Sequence, residues 1–186
     1  MARIKPSPTL AVTAKANQLR SEGIDVINLA AGEPDFDTPD HIKQAANKAI
    51  ANGQTKYTPV GGTVALKSAI INKIKRDSAV QYQANEILVS SGGKQSFYNL
   101  CQAIIDQDDE VVIPAPYWVS YPDMVLLANG TPVFVTADHT QNFKITAQQL
   151  QHVITEKTKM VVINSPSNPT GACYSAEELK LSLIHI

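Results

Sequence analysis

Three short segments carry residue types that could hold a charged or flat ligand: SSGGKQ at residues 90–95, PAPYW at 114–118 and NSPSNPTG at 164–171. In the last, Pro166 and Pro169 fix φ and lack an N–H. The run that follows Met160, Val161, Val162 and Ile163 can therefore neither extend a strand nor open as an ordinary helix. It must be a shaped loop, either one that holds a ligand or a plain stiff turn. Gly92 and Gly93 before Lys94 offer backbone N–H groups and a helix dipole to an anion such as phosphate, and they equally fit a tight strand-to-helix turn with no ligand. The segment is not a nucleotide P-loop: Leu88 stands five positions before Gly93, and Gln95 follows the lysine. A GxGxxG fingerprint is missing too. Trp118, the only tryptophan, reads as a flat wall for an aromatic ring or as a core residue.

The elements that would position these segments alternate between helix and strand. Thr9 to Glu22 reads as a helix stopped by Gly23, and Asp25 to Leu29 as a short strand. Thr38, Pro39 and Asp40 open a helix that Gly53 closes, and Thr63 caps the next one. Strands are then predicted at Glu86 to Val89, Glu110 to Ile113, Pro132 to Thr136 and Lys159 to Ile163. Helices fall between them at Ser96 to Ile105 and Trp118 to Leu127, and after Thr146, whose pairing with Gln149 forms a capping box. Ser175 with Glu178 opens another. This order predicts an α/β fold, a mostly parallel sheet with helices on both faces. In such sheets ligands lie beyond the carboxyl ends of the strands, where the three segments and AAGEPDF fall.

Composition limits what the fold can serve. A chain of 186 residues, 44% hydrophobic and 18% charged, can bury one good-sized core. A net charge of −1 leaves no electrostatic footprint for nucleic acid or an anionic membrane. No apolar stretch is long enough to span a bilayer and the N-terminus has no signal-peptide core, so a cytoplasmic location is expected. Cys101 and Cys173 show no metal spacing or disulfide framework. His41 and His152 lie in helical patterns and His139 beside a turn, where solvated or packed roles are the ordinary ones; no metal site is expected.

A phosphate cradle, an aromatic wall and an amide donor from Asn168 together fit a phosphorylated, flat, aromatic cofactor with an oxygen acceptor, and pyridoxal 5′-phosphate is such a molecule. AAGEPDFDTP, KYTPVGG, SSGGKQ, PYWVSYP and NSPSNPTG, in this order and spacing, resemble the aminotransferases of fold type I, in particular the prokaryotic-type branch of aspartate aminotransferases. The resemblance runs from about Lys5 to Lys180. It implies that the Gly93 and Lys94 amides hold the cofactor phosphate, that Trp118 stacks on the ring, and that Asn168 bonds the ring oxygen beside the substrate. It implies a backbone contact from Gly32 to substrate. Tyr57 matches the tyrosine that reaches the phosphate of the neighbouring subunit, which implies a homodimer with shared active sites. The implied substrates are an amino acid, aspartate in the first instance, and a 2-oxo acid such as 2-oxoglutarate.

Family members continue for roughly as many residues again and supply the Schiff-base lysine there, so no catalytic residue is assigned in this sequence. The expectation is an inactive piece of an aminotransferase: 1–40 as N-terminal arm and start of the small-domain region, 41–180 as incomplete large cofactor-binding domain, and 181–186 as a truncated or non-native tail. Leu181 to Ile186 ends a helix after two turns without a cap; a short natural C-terminal helix is the other reading. Two further functions fit the residues: a nucleotide- or sugar-phosphate-binding α/β domain, and a non-catalytic regulatory or dimerisation protein on a truncated aminotransferase fold.

Overall fold

The computed structural model describes residue 4, residues 6–30 and residues 32–183. They form two compact units, Pro6–Ser90 and a second that starts at Ser91. The first holds α1 (Pro8–Ser21), α2 (Asp40–Ala51) and α3 (Val64–Ser78). Thr63 caps α3 as its position predicts, its Oγ1 accepting the Leu66 N–H at 3.3 Å. Pro39, and not Thr38, holds the N-cap place of α2, so that helix starts with no side-chain cap.

The two strands expected in this unit do not form. Residues 25–29 keep the alternation of an extended segment, with Ile27 and Leu29 83% and 91% exposed. No neighbouring strand pairs with them among the described residues, and without a partner ladder an extended run is not a strand. Instead the Arg20 guanidinium holds the Val26 carbonyl through Nε and Nη2, at 3.0 and 2.9 Å. In place of Glu86 to Val89 there is a 3-10 turn at Ala84–Glu86, followed by one backbone bond from the Val89 N–H to the Gly61 oxygen. Among the described residues of this unit, Ala16 is the only buried apolar side chain.

The second unit is built on a parallel sheet. In chain order it contains α4 (Gly93–Ile104), β1 (Glu110–Ala115), α5 (Ser120–Leu127), β2 (Thr131–Thr136), α6 (Ala147–Val153), β3 (Thr158–Val161) and α7 (Ala176–Leu183). The strand order is β2-β1-β3 and both pairings are parallel, with Val112 opposite Val133 on one side and Val161 on the other. β1 is central and apolar on both faces. Val111 and Ile113 join Cys101 of α4 and Met124 and Val125 of α5 in one cluster. Val112 points the other way, toward Ile145 and Leu150 of the α6 side. The α/β expectation thus holds in this unit, with helices on both faces of the sheet.

The capping boxes read from sequence form as well. Thr146 and Gln149 exchange backbone bonds at the start of α6, and Ser175 and Glu178 do the same before α7. Residues 184–186 lie outside the described residues, as do the side chains of 181–183, so the expectations for the tail and for His185 concern positions the structure does not describe.

Glu178 also accepts from the Lys144 ammonium at 2.6 Å. That hydrogen bond first, and the Ser175 N–H next, hold its carboxyl below the ordinary value of 4.5. Because the folded value is the lower one, the stabilisation is fully present above pH 4.5. It is lost as the pH falls through the folded value, where protonation ends the pair. Circular dichroism from pH 7 to pH 3 is expected to show a steeper acid limb for the wild type than for Glu178→Gln; superimposable profiles would refute the pairing's role.

Candidate active site

α4 begins without a side-chain cap. Its N-cap is Gly92, at φ 86° and ψ 165°, a backbone region open essentially to glycine alone. The side-chain oxygen of Gln95 accepts the Ser91 N–H and closes the turn. The first intrahelical bond runs from the Ser96 N–H to the Gly92 oxygen at 3.3 Å. The N–H groups of Gly93, Lys94 and Gln95 therefore stand at the positive end of the helix with no intrahelical acceptor. A Cβ placed on Gly92 or Gly93 meets nothing within 4 Å, so the space before the turn is open. Contrary to the expectation from sequence, the turn does not follow a strand; the helix starts from an irregular segment.

Trp118 comes from the other side. β1 ends at Ala115, and Pro116 and Tyr117 carry the chain past the carboxyl end of this central strand to Trp118, just before α5. The indole packs edge-to-face on Tyr121, with ring centroids 5.3 Å apart at 87°, and Tyr121 in turn packs on Phe97 of α4 at 4.8 Å. The Lys94 ammonium lies 5.3 Å from the Trp118 centroid, a cation–π contact of about 0.5–1 kcal/mol at an exposed site. Gly92, Gly93, Lys94, Phe97, Trp118 and Tyr121 thereby line one cleft. Phe97 and Tyr121 were not singled out from sequence. Their signal was spacing: Phe97 is four residues after Gly93 and Tyr121 three after Trp118, each one helical turn from a residue that was.

Asn168 lines the adjoining cleft, together with Tyr117, Tyr121, Asn164 and Tyr174. Tyr121 belongs to both clefts, and burial pushes its phenol upward from the ordinary value. The loop around Asn168 is closed on itself. The Gly171 N–H bonds the Ser167 oxygen at 2.7 Å and the Ser167 N–H bonds the Ala172 oxygen at 2.9 Å. Gly171, at φ 73°, makes the turn that brings these groups together. The loop is also anchored: Ser165 Oγ accepts the Tyr174 N–H at 3.0 Å, and Tyr174 Oη accepts the Ile145 N–H at 2.9 Å.

The structure thus places Gly93, Lys94 and Trp118 around one cleft and Asn168 at its neighbour. Tyr57 and Gly32 belong to the Pro6–Ser90 unit, where Tyr57 is wholly exposed on the 55–58 segment and Gly32 has open space around its Cα. Among the described residues no group of His, Cys, Asp and Glu could hold a metal ion, and no helix is long and apolar enough to cross a membrane.

The amino-acid sequence from residue 24 to 182 matches the family described as "Aminotransferase class I and II". An aspartate/prephenate aminotransferase of Nitrosomonas europaea is 63% identical over 177 residues, which cover 95% of this chain and 45% of that protein. The aspartate aminotransferase structure from Rhizobium meliloti superposes with a TM-score of 0.94 at 46% identity, over 99% of this chain and 46% of that one. The Thermus thermophilus aspartate aminotransferase with maleate gives the same TM-score and identity, over 99% and 49%. The chain spans slightly under half the length of the relatives it matches.

Proposed function

Since the chain belongs to the class I and II aminotransferase family, we propose that it forms the phosphate- and ring-binding part of a pyridoxal 5′-phosphate site. The reaction so served moves an amino group from an amino acid, aspartate in the first instance, to a 2-oxo acid such as 2-oxoglutarate. The observation that carries this reading is the cleft shared by the first-turn amides of α4 and the Trp118 ring. A helix N-terminus with free amides and open space before a glycine turn fits a phosphate dianion, and an aromatic face beside it fits a flat ring. When bound, the cofactor supplies an electron sink for the amino acid's α-carbon and a carrier for the amino group.

The chain's own residues hold and orient. The Gly93 and Lys94 N–H groups bond the phosphate, and the Lys94 ammonium adds positive charge beside it. Trp118 covers the ring face and keeps water from it. The Asn168 amide donates to the ring oxygen beside the substrate carboxylate, and the Gly32 backbone contacts substrate. Tyr57 reaches the phosphate of a second copy, which makes the working form a homodimer with shared sites, located in the cytoplasm. Residues 1–40 form the arm and the start of the small domain, and 41–180 the large-domain part. None of the residues here takes the covalent lysine role, so these 186 residues bind the cofactor and do not turn over substrate by themselves.

The test uses Trp118 as its own reporter. Pyridoxamine 5′-phosphate, which lacks the aldehyde that would react with surface lysines, is expected to quench the tryptophan fluorescence saturably. Pyridoxamine without the phosphate should bind at least about tenfold more weakly, the scale of hydrogen bonds to a charged group. Equal affinity for both, or no quench at all, would contradict the reading. Tighter binding of a nucleotide would favour a nucleotide-phosphate domain instead.

A further inference from the structure

Asn168 can direct its amide only if the backbone that carries it is fixed, and one bond does this at short range. The side-chain oxygen of Asn164 accepts the Asn168 N–H at 2.9 Å. Asn164 is half-buried three residues beyond β3, close after Val162, whose N–H bonds the Val112 oxygen at 2.9 Å and continues the sheet ladder past the strand. The central strand of the sheet is fully buried at Val111, Val112 and Ile113, so Asn164 ties the exposed Asn168 to a rigid base. Pro166 and Pro169 remove two of the loop's own donors, and the remaining turn bonds, Ser167 to Ala172 and Gly171 to Ser167, close the far side of the loop. Asn164 alone among these acceptors engages the Asn168 backbone.

We infer that Asn164 is the positioning residue of this site: its side-chain oxygen fixes the Asn168 backbone so that the Asn168 amide meets the ring oxygen of the bound cofactor. This rests on the proposed cofactor reading. It also accounts for two asparagines four residues apart in one loop, the first an acceptor toward the backbone and the second a donor toward the ligand. Aspartate at position 164 keeps the acceptor in the same shape; leucine keeps the volume and removes it.

The experiment measures affinity for pyridoxamine 5′-phosphate and for its 3-deoxy analogue, which lacks the ring hydroxyl, by Trp118 quenching of the 186-residue chain. Asn164→Leu is expected to weaken the first by about three- to tenfold, the range of one hydrogen bond, and to leave the analogue unchanged. Asn164→Asp should restore it. On an Asn168→Ala background, Asn164→Leu should cause no further loss, because its effect passes through Asn168. Faster exchange of the Asn168 amide proton in Asn164→Leu provides a readout in the ligand-free chain. Equal loss for both ligands, additive effects in the double variant, or unchanged amide exchange would each overturn the inference while leaving the cofactor reading intact. A wild type that binds neither ligand would overturn both.

Discussion

Leu150→Ala is expected to lower the stability of the unit that starts at Ser91 by about 2–5 kcal/mol, the range for deleting a well-packed leucine. Leu150 has no solvent exposure and sits at the centre of the cluster formed by Val112, Val135, Ala137 and Ile145. It is the buried residue of α6, and its loss leaves a cavity between that helix and the sheet. Domains have only about 5–15 kcal/mol of stability in all, so the variant should be partly unfolded at modest urea. Trp118 fluorescence follows the transition, because the indole belongs to the same unit. The midpoint should fall with the slope unchanged, and Leu127→Ala, at a position already 39% exposed, should change it little. A shift for Leu150→Ala no larger than that of Leu127→Ala would show that α6 is not held through this contact.

The second large effect falls on Gly92→Val. A β-branched residue at φ 86° and ψ 165° incurs about 1–3 kcal/mol of backbone strain, or else the turn changes shape. Because no neighbour lies within 4 Å of a Cβ there, the effect is conformational and not a clash. Relief of that strain by a change in the turn takes the first-turn amides of α4 out of their common direction, and pyridoxamine 5′-phosphate should bind at least tenfold more weakly while the unit remains folded. Unchanged affinity measured by calorimetry would mean that the phosphate is held elsewhere.

What could be read in advance followed the range of the interaction. Thr63, Thr146 with Gln149, and Ser175 with Glu178 act over three residues, and each bond they imply is formed. The strands at Glu110, Thr131 and Thr158 were legible because long apolar runs between turn signals persist wherever they pair. Residues 25–29 and 86–89 carry a similar local pattern, yet a strand also requires a neighbour, and the local pattern cannot say whether one is there. At the site, Gly93, Trp118 and Asn168 stood out by type. Tyr121 and Phe97 did not, because their meeting depends on α4 and α5 packing together over Val111 and Ile113, a contact between residues distant in sequence.

The α4 amides and Trp118 are proposed to form one ligand site. The most direct test of that proposal is an amide-resolved nuclear magnetic resonance titration of the chain with pyridoxamine 5′-phosphate. Saturable shifts are expected at the backbone N–H groups of Gly93, Lys94 and Gln95 and at the Trp118 indole N–H, with inorganic phosphate moving the three backbone amides alone. Shifts confined to the polar surface around Gln141 and Lys144, or no saturable shift at Gly93 and Lys94, would contradict it.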